Sequence, residues 1–455
     1  MLLAWTILGC TSETADDTTI PVHSATETGD TGEVHTGTTT TTEPPSRDDV
    51  VDAFVWSYPL VLSTRAVSDK SVNRLVWGQD RPDETNRDAV VPNPDVLYSL
   101  GVLDLRDEPM VVHTTELTDR YWCLQFSDYF TETFAYLGSR ATNGAGGNYL
   151  VTPPGWSGTL PAGMIELPSP TLDALIVGRI HVRSDADVQN ARPLQANYTV
   201  TPLSVWQGGA TPTPPAVPAV FGEPEDTGTN GIVYWDELAA TLEGNPVSEQ
   251  DADWLERLAA LGVVPGGKPS VDVTDPVLRE LLETVPAATL PDIYAAVPYL
   301  DWVPQLGLGE FDDDEDLIRA AVAFDGWITH RPEEAVYTLS NRMDGSGTWR
   351  LHFEQEELPP VDAFWSLTVY GDDRYMVPNA FHQYSVQSTD PRVVRNPDGS
   401  LDILMQPTFP GSNGYNWIPT PDGEPFYVIL RLYLPGAAIL SGEWEPPQIM
   451  ELTAR

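Results

Sequence analysis

The sequence predicts a mostly β protein with a helical insert: two related β-sandwich domains, jelly-roll-like, joined by an α-helical middle segment. Three observations carry this. The 455 residues include 42 Pro, 35 Gly, 14 Trp and 17 Tyr, a composition that favours many short strands between tight turns. One pattern of aromatic and apolar runs occurs twice. Between its copies the periodicity turns helical. The expected organisation is a leader at 1–10, a tether at 11–49, a first β-domain at 50–210, a linker and helical segment at 211–330, and a second β-domain at 331–455.

The chain opens with a short apolar run ending Ile7-Leu8-Gly9-Cys10. It resembles a bacterial lipobox, in which Cys10 becomes the lipid-bearing residue and residues 1–9 are removed. It departs from that pattern in having no Lys or Arg before a short apolar stretch. Residues 11–49 carry nine acidic groups, one basic group and a Thr-rich run, too little apolar surface to offset the entropy of ordering. At about 5–6 Å times the square root of length, such a segment reaches roughly 35 Å, which suits a tether at the cell envelope.

A helix is expected over Ser46–Ser63, with Val50, Val51, Phe54, Val55, Tyr58 and Leu60 on a face that covers a β-domain. In the first copy of the repeat, Val96-Leu-Tyr-Ser-Leu100 leads to Met110–His113, then Tyr121-Trp-Cys-Leu124, Tyr149–Val151 and Leu175–Val182. In the second, Ala335-Val-Tyr-Thr-Leu339 leads to Trp349–Phe353, Phe364-Trp-Ser-Leu367, Ile403–Met405 and Val428–Leu434. Tyr98 then matches Tyr337, and Arg179 matches Arg431. Between the copies, a Pro-rich stretch at 211–219 precedes helices expected at Tyr234–Leu242, Ser248–Leu261, from Pro276 through Leu282, and at Leu317–Phe324. The acidic run Asp312–Asp316 lacks the spacing and glycine of a calcium loop and reads as dipole compensation.

Several of these motifs carry a resemblance. Asn93-Pro-Asp-Val-Leu-Tyr98 with Arg120–Asp128 resembles the bacterial family called domain of unknown function 1254. Pro332–Tyr337, Leu358–Leu367, Leu430–Tyr433 and Trp444–Pro447 resemble its usual partner, domain of unknown function 1214. The resemblance spans about residues 50–455. It implies two β-sandwiches joined by a helical part, in secreted or envelope-associated proteins, and no established reaction.

A formal net charge of -43 excludes a nucleic-acid binder. Without the tether the net charge is still about -35, so the folded surface is itself acidic. No stretch is apolar enough to cross a bilayer as a helix. The seven His are scattered without a metal-ligand spacing, and no cofactor motif occurs. Cys123, inside an apolar strand, reads as an inert buried thiol.

The candidate ligand-binding residues are therefore polar groups within the repeated motifs: Asn93, Asp95, Tyr98, Asp128, Arg140, Arg179, Tyr370, Asn379 and Arg431. Arg179 and Arg431 interrupt apolar strands, where a buried cation needs a carboxylate partner. Because both copies keep it, each Arg is expected to reach solvent or close a structural ion pair. The other reading is a pocket where Arg and Tyr hold an anionic or hydroxylated ligand. The preferred function is a lipid-anchored envelope protein that binds a small molecule or glycan between its β-domains, helped by exposed loop aromatics Tyr129, Phe130, Tyr415 and Trp417. The alternatives are a hydrolase, lyase or isomerase using Asp95 and Tyr98 as acid and base, and a structural part of a surface assembly.

Overall fold

Four sheets pair into two sandwiches in the computed structural model. It describes residues 44–87, 90–211, 222–249, 251–297, 301–306, 309, 311, 315–411 and 416–452. Cys10, Tyr415, Asp312–Asp314 and most of the tether and Pro-rich stretch lie outside the described residues. Residues 45–455 form one unit.

In the first sandwich, a five-stranded sheet runs β1 (Arg74–Trp77), β2 (Val96–Asp104), β8 (Asp173–His181), β4 (Trp122–Asp128), β5 (Thr133–Gly138). Its partner runs β7 (Ile165–Pro168), β6 (Gly147–Thr152), β3 (Met110–Thr114), β9 (Thr199–Pro202). Alternate residues of both sheets, among them Leu97, Leu103, Val112, Trp122, Leu124, Val151 and Ile176, meet in one buried core, as strand alternation requires.

The second sandwich repeats the plan. One sheet runs β10 (Pro304–Gln305), β11 (Ala335–Leu339), β18 (Pro425–Pro435), β14 (Val361–Gly371), β15 (Ser385–Gln387), with β12 (Met343–Asp344) also pairing with β18. The other runs β17 (Trp417–Ile418), β16 (Leu401–Met405), β13 (Trp349–Phe353), β19 (Ile449–Glu451). Its core holds Val336, Leu351, Phe353, Trp365, Leu367, Ile403 and Leu432.

The helix Arg47–Val67 starts at Ser46 with a capping box to Asp49 and runs one turn past the expected end. Although it precedes the first sandwich in sequence, it packs with the middle helices Val233–Gly244, Ala252–Ala260, Pro276–Ala295 and Asp316–Gly326. Trp56 stacks on Trp254 with centroids 5.0 Å apart, and Phe54 meets Tyr234 edge-on. The helix from Pro276 continues through Pro286 and Pro291 to Ala295, beyond Leu282, because Val285, Leu290 and Ile293 bury on this core. Tertiary packing there outweighs the helix-breaking tendency of proline.

The helical core and the second sandwich share the outer face of the first five-stranded sheet. Val102 and Leu175 bury with the helices, while Val96, Tyr98 and Cys123 bury against Ala335, Phe364 and Tyr433. The five-stranded sheet of the first sandwich and the six-stranded sheet of the second therefore meet along one end of their strands, and that layer holds most of the polar candidates.

Candidate functional site

Register builds the site as two matching rows. In the first sandwich, Arg179 on β8 lies opposite Tyr98 on β2 and Cys123 on β4. In the second, Arg431 on β18 lies opposite Tyr337 on β11 and Ser366 on β14. A Tyr–Arg–Cys row and a Tyr–Arg–Ser row thus occupy equivalent positions on two sheets that share one buried layer.

The surroundings repeat as well. Arg179 Nη1 donates to Gln125 Oε1 at 3.0 Å, and Arg431 Nη1 donates to Thr368 Oγ1 at 3.2 Å, two residues beyond Cys123 and Ser366 respectively. Asp95 and Glu334 stand three residues before Tyr98 and Tyr337. Val182 N–H donates to the Asp95 carbonyl at 2.9 Å, and Leu434 N–H to the Glu334 carbonyl at 3.0 Å.

The two carboxylates cross between the sandwiches. Asp95 Oδ1 accepts from Ser385 Oγ at 2.7 Å and Gln387 Nε2 at 3.0 Å, both on β15, and pairs with Arg81 at 3.4 Å. Glu334 accepts from Tyr121 Oη at 2.8 Å and Arg140 Nε at 2.7 Å. Asn93 joins the same seam: its Nδ2 donates to Tyr433 Oη at 2.8 Å, and its Oδ1 accepts from Asp95 N–H at 2.9 Å. The stacking of His181 on Phe364, centroids 3.9 Å apart, and a 2.6 Å bond from His181 Nε2 to Gln387 Oε1 complete the seal.

Arg179 and Arg431 are buried, 7% and 4% exposed, yet among the described residues neither forms an ion pair. Arg431 donates to the Val91 carbonyl and to Tyr370 Oη, each at 2.8 Å. Tyr370 Oη donates in turn to the Pro92 carbonyl at 2.7 Å. Arg179 sits 5.6 Å from the Tyr98 ring centre. Each nearby carboxylate already has its own arginine, Arg81 or Arg140. This corrects the expectation that each repeated Arg reaches solvent or closes a structural ion pair. The contacts are neutral, because β14 and β4 offer Thr368 and Gln125 at the positions beside the guanidinium.

Burial sets the protonation states of the layer. It raises the carboxyl of Asp95, against the pull of Arg81, and also that of Glu334, against Arg140 and Tyr121. The Cys123 thiol is pushed up to about 12 by burial, and its neighbour His330, with Nε2 4.0 Å from Sγ, is held neutral for the same reason. A thiol–imidazole pair in that state is no activated nucleophile. Asp95 Oδ2 and Ser366 Oγ lie close together, and among the described residues neither completes a hydrogen bond. Tyr98 and Tyr337, in the middle of the layer, stay only half-buried, so the two sheets do not close fully over the rows.

At the edge of the layer, a crevice of about 30 Å³ is lined by Arg81, His382, Ser385 and Gln387, which include the three partners of Asp95. A larger groove of about 570 Å³ runs along the edge strand β1 past Arg74, Trp77, Arg192 and Tyr198. It opens on the outside of the first sandwich and does not reach the rows; the smaller crevice touches the partners of Asp95, and its lining also includes Asp185 and Asp390 but none of Tyr98, Tyr337, Arg179 and Arg431.

Of the candidate residues, Asn93, Asp95, Tyr98, Arg140, Arg179, Tyr370 and Arg431 come together in this layer. Asp128 does not: it closes the β4–β5 turn by accepting from Glu132 N–H at 2.9 Å. Nor does Asn379, whose side chain bonds Val377, Phe381 and Gln383 within its own loop. The exposed loop aromatics are corrected too. Tyr129, Phe130 and Trp417 are buried, Phe130 against Trp56 and Trp417 beneath Phe381 and Phe409. Sequence reading missed Ser366, Glu334, Tyr121 and Gln387. Placing the repeat residue by residue marks Ser366 and Glu334 as the counterparts of Cys123 and Asp95; Tyr121 and Gln387 carry no such signal.

Two family models match separate parts of the chain. The family model described as protein of unknown function DUF1254 matches residues 72–202, and that described as DUF1214 matches residues 332–437. The crystal structure of the VPA0106 protein from Vibrio parahaemolyticus superposes with a TM-score of 0.69 at 23% identity, covering 90% of this chain and 100% of that one. An uncharacterised protein from Burkholderia cenocepacia aligns with a TM-score of 0.45 at 12% identity, over 89% of this chain and 94% of that one. None of the curated proteins matches the chain. The chain is a two-domain protein of the DUF1254/DUF1214 type.

Proposed function

We propose that this protein binds a small, anion-bearing organic molecule between its two β-sandwiches, held by Arg179 and Arg431 and flanked by the hydroxyls of Tyr98 and Tyr337. One observation carries the reading: both buried guanidiniums have only neutral hydrogen-bond partners, and the carboxylates within their electrostatic reach, Glu334 and Asp95, are already bonded to Arg140 and Arg81, although a buried charge without a close partner costs several kcal/mol. An anion supplies the missing counter-charge, and neutral donors already surround its seat. At about 30 Å³ the crevice beside the partners of Asp95 admits water. The lipobox-like Ile7–Cys10 and the acidic tether support placement at a bacterial cell envelope through lipid on Cys10.

Thermal unfolding at constant ionic strength, across carboxylates, phosphates and sulfonates, tests the binding. A ligand at 100 times its Kd stabilises by about 2.7 kcal/mol. Stabilisation by one anion class that disappears in the Arg179→Gln/Arg431→Gln double variant supports the site; an equal shift in that variant removes it. A second reading, an enzyme using Asp95 as an acid, draws on its buried carboxyl with one oxygen unbonded beside Ser366. Turnover of any substrate that survives Asp95→Asn counts against it.

A further inference from the structure

The duplication that builds the layer also constrains the shape of what it holds. Every group that frames Arg179 has a counterpart around Arg431. Tyr98 and Tyr337 lie opposite the two arginines on one side, and Cys123 and Ser366 on the other. Gln125 and Thr368 each accept from one Nη1. Asp95 and Glu334 each reach into the opposite sandwich, and their carbonyls accept from Val182 N–H and Leu434 N–H, which follow Arg179 and Arg431 at the same spacing. These relations describe an approximate twofold axis running between the rows. Arg179 lies within electrostatic reach of Tyr337 and Tyr433 across the layer, and Arg431 within reach of Tyr98, so the two cations share one ring of tyrosines.

A monoanion on such an axis neutralises one guanidinium fully and the other poorly. A molecule with an anionic group at each end neutralises both, one per row, with its middle between the Tyr98 and Tyr337 rings. Building on the anion-binding reading above, we infer that the ligand is two-ended: a short dicarboxylate or a molecule of equivalent charge spacing. The linkage makes the second contact intramolecular, so affinity rises sharply once the chain length matches the gap between the seats. The layer is not perfectly symmetric: Arg431 Nη2 also donates to the Val91 carbonyl and Tyr370 Oη, bonds with no counterpart at Arg179 among the described residues. Asp95 Oδ2 and Ser366 Oγ, buried and unbonded among the described residues, stand only on the Arg431 side. They give that end an extra donor and acceptor for a hydroxyl carried next to the anionic group, and so a preferred direction for an unsymmetrical ligand.

The test is a calorimetric titration of the full chain at fixed ionic strength with acetate and with the series malonate, succinate, glutarate and adipate. The expected result is a maximum at one chain length, at least tenfold tighter than acetate. Arg179→Gln and Arg431→Gln should each reduce that dicarboxylate to the acetate level while leaving acetate binding at the remaining seat. If acetate and every dicarboxylate bind alike to the wild-type chain, the two-ended inference is overturned and the anion site stands. If no carboxylate binds while phosphates or sulfonates do, the carboxylate class is overturned. If no anion of any class binds, the underlying reading falls as well.

Discussion

Replacing Arg179 with Met separates an arginine kept for a ligand from one kept for the fold. The substitution removes a guanidinium that is 7% exposed, its 3.0 Å bond to Gln125 and its 5.6 Å approach to the Tyr98 ring. Gln125 remains in place, since its Nε2 still donates to Thr133 Oγ1 at 2.9 Å and to the Thr329 carbonyl at 3.1 Å. Its unbonded Oε1 costs about 1–3 kcal/mol, and the lost cation–π contact about 0.5–2 kcal/mol. Against this stands the desolvation of a charge without an ion-pair partner, several kcal/mol. Buried ionic groups exchanged for well-packed apolar ones commonly leave stability unchanged or raise it by about 1–4 kcal/mol. The expected change for Arg179→Met, read from urea unfolding without added organic anion, therefore lies between zero and a gain of about 2 kcal/mol. Stabilisation by a two-ended anion should fall to that given by acetate at the same time. A loss of about 3 kcal/mol or more, the size seen when a buried ion pair is broken, refutes the reasoning and makes Arg179 a structural residue.

Other consequences follow from the same contacts. Glu334→Gln leaves Tyr121 and Arg140 without their carboxylate and should destabilise by about 1–3 kcal/mol in urea unfolding; no change would mean that the crossed carboxylates do not join the sandwiches. Asp128 is held up to about 7 by burial, so the folded state keeps its proton where the unfolded chain has lost it. Stability from this group is present below about pH 4 and declines as pH rises to about 7, by about 1.4 kcal/mol per pH unit at most. Asp128→Asn should flatten that part of the stability profile, and an unchanged slope would assign it elsewhere. Trp56→Ala empties the centre of the helical core and should cost about 3–5 kcal/mol, with a cost below 1 kcal/mol showing that the helices do not depend on it.

The repeat was readable because each strand carries its own alternation, and Tyr98, Tyr337, Arg179 and Arg431 sit at matching steps of it. Seven of the nine candidate residues meet in one layer for that reason. Asp128 and Asn379 stand out in the sequence by polarity alone, and a carboxylate or amide that folds back on its own turn looks the same there as one that faces a ligand. Partners across the layer were hidden. Nothing local ties Glu334 to Tyr121 or Asp95 to Gln387, since those contacts depend on how the two sandwiches face each other. The aromatics at 129, 130 and 417 failed as surface markers because the Arg47–Val67 helix and the Phe381 loop cover them, and strand periodicity does not report what packs on a loop.

The central claim, that the layer between the sandwiches is an anion seat, is tested most directly by calorimetric titration of the wild-type chain and the Arg179→Met/Arg431→Met double variant with the same organic anion. A two-ended anion should bind the wild type saturably and 1:1, and should not bind a double variant that unfolds as cooperatively as the wild type. Equal binding by the two proteins would contradict it.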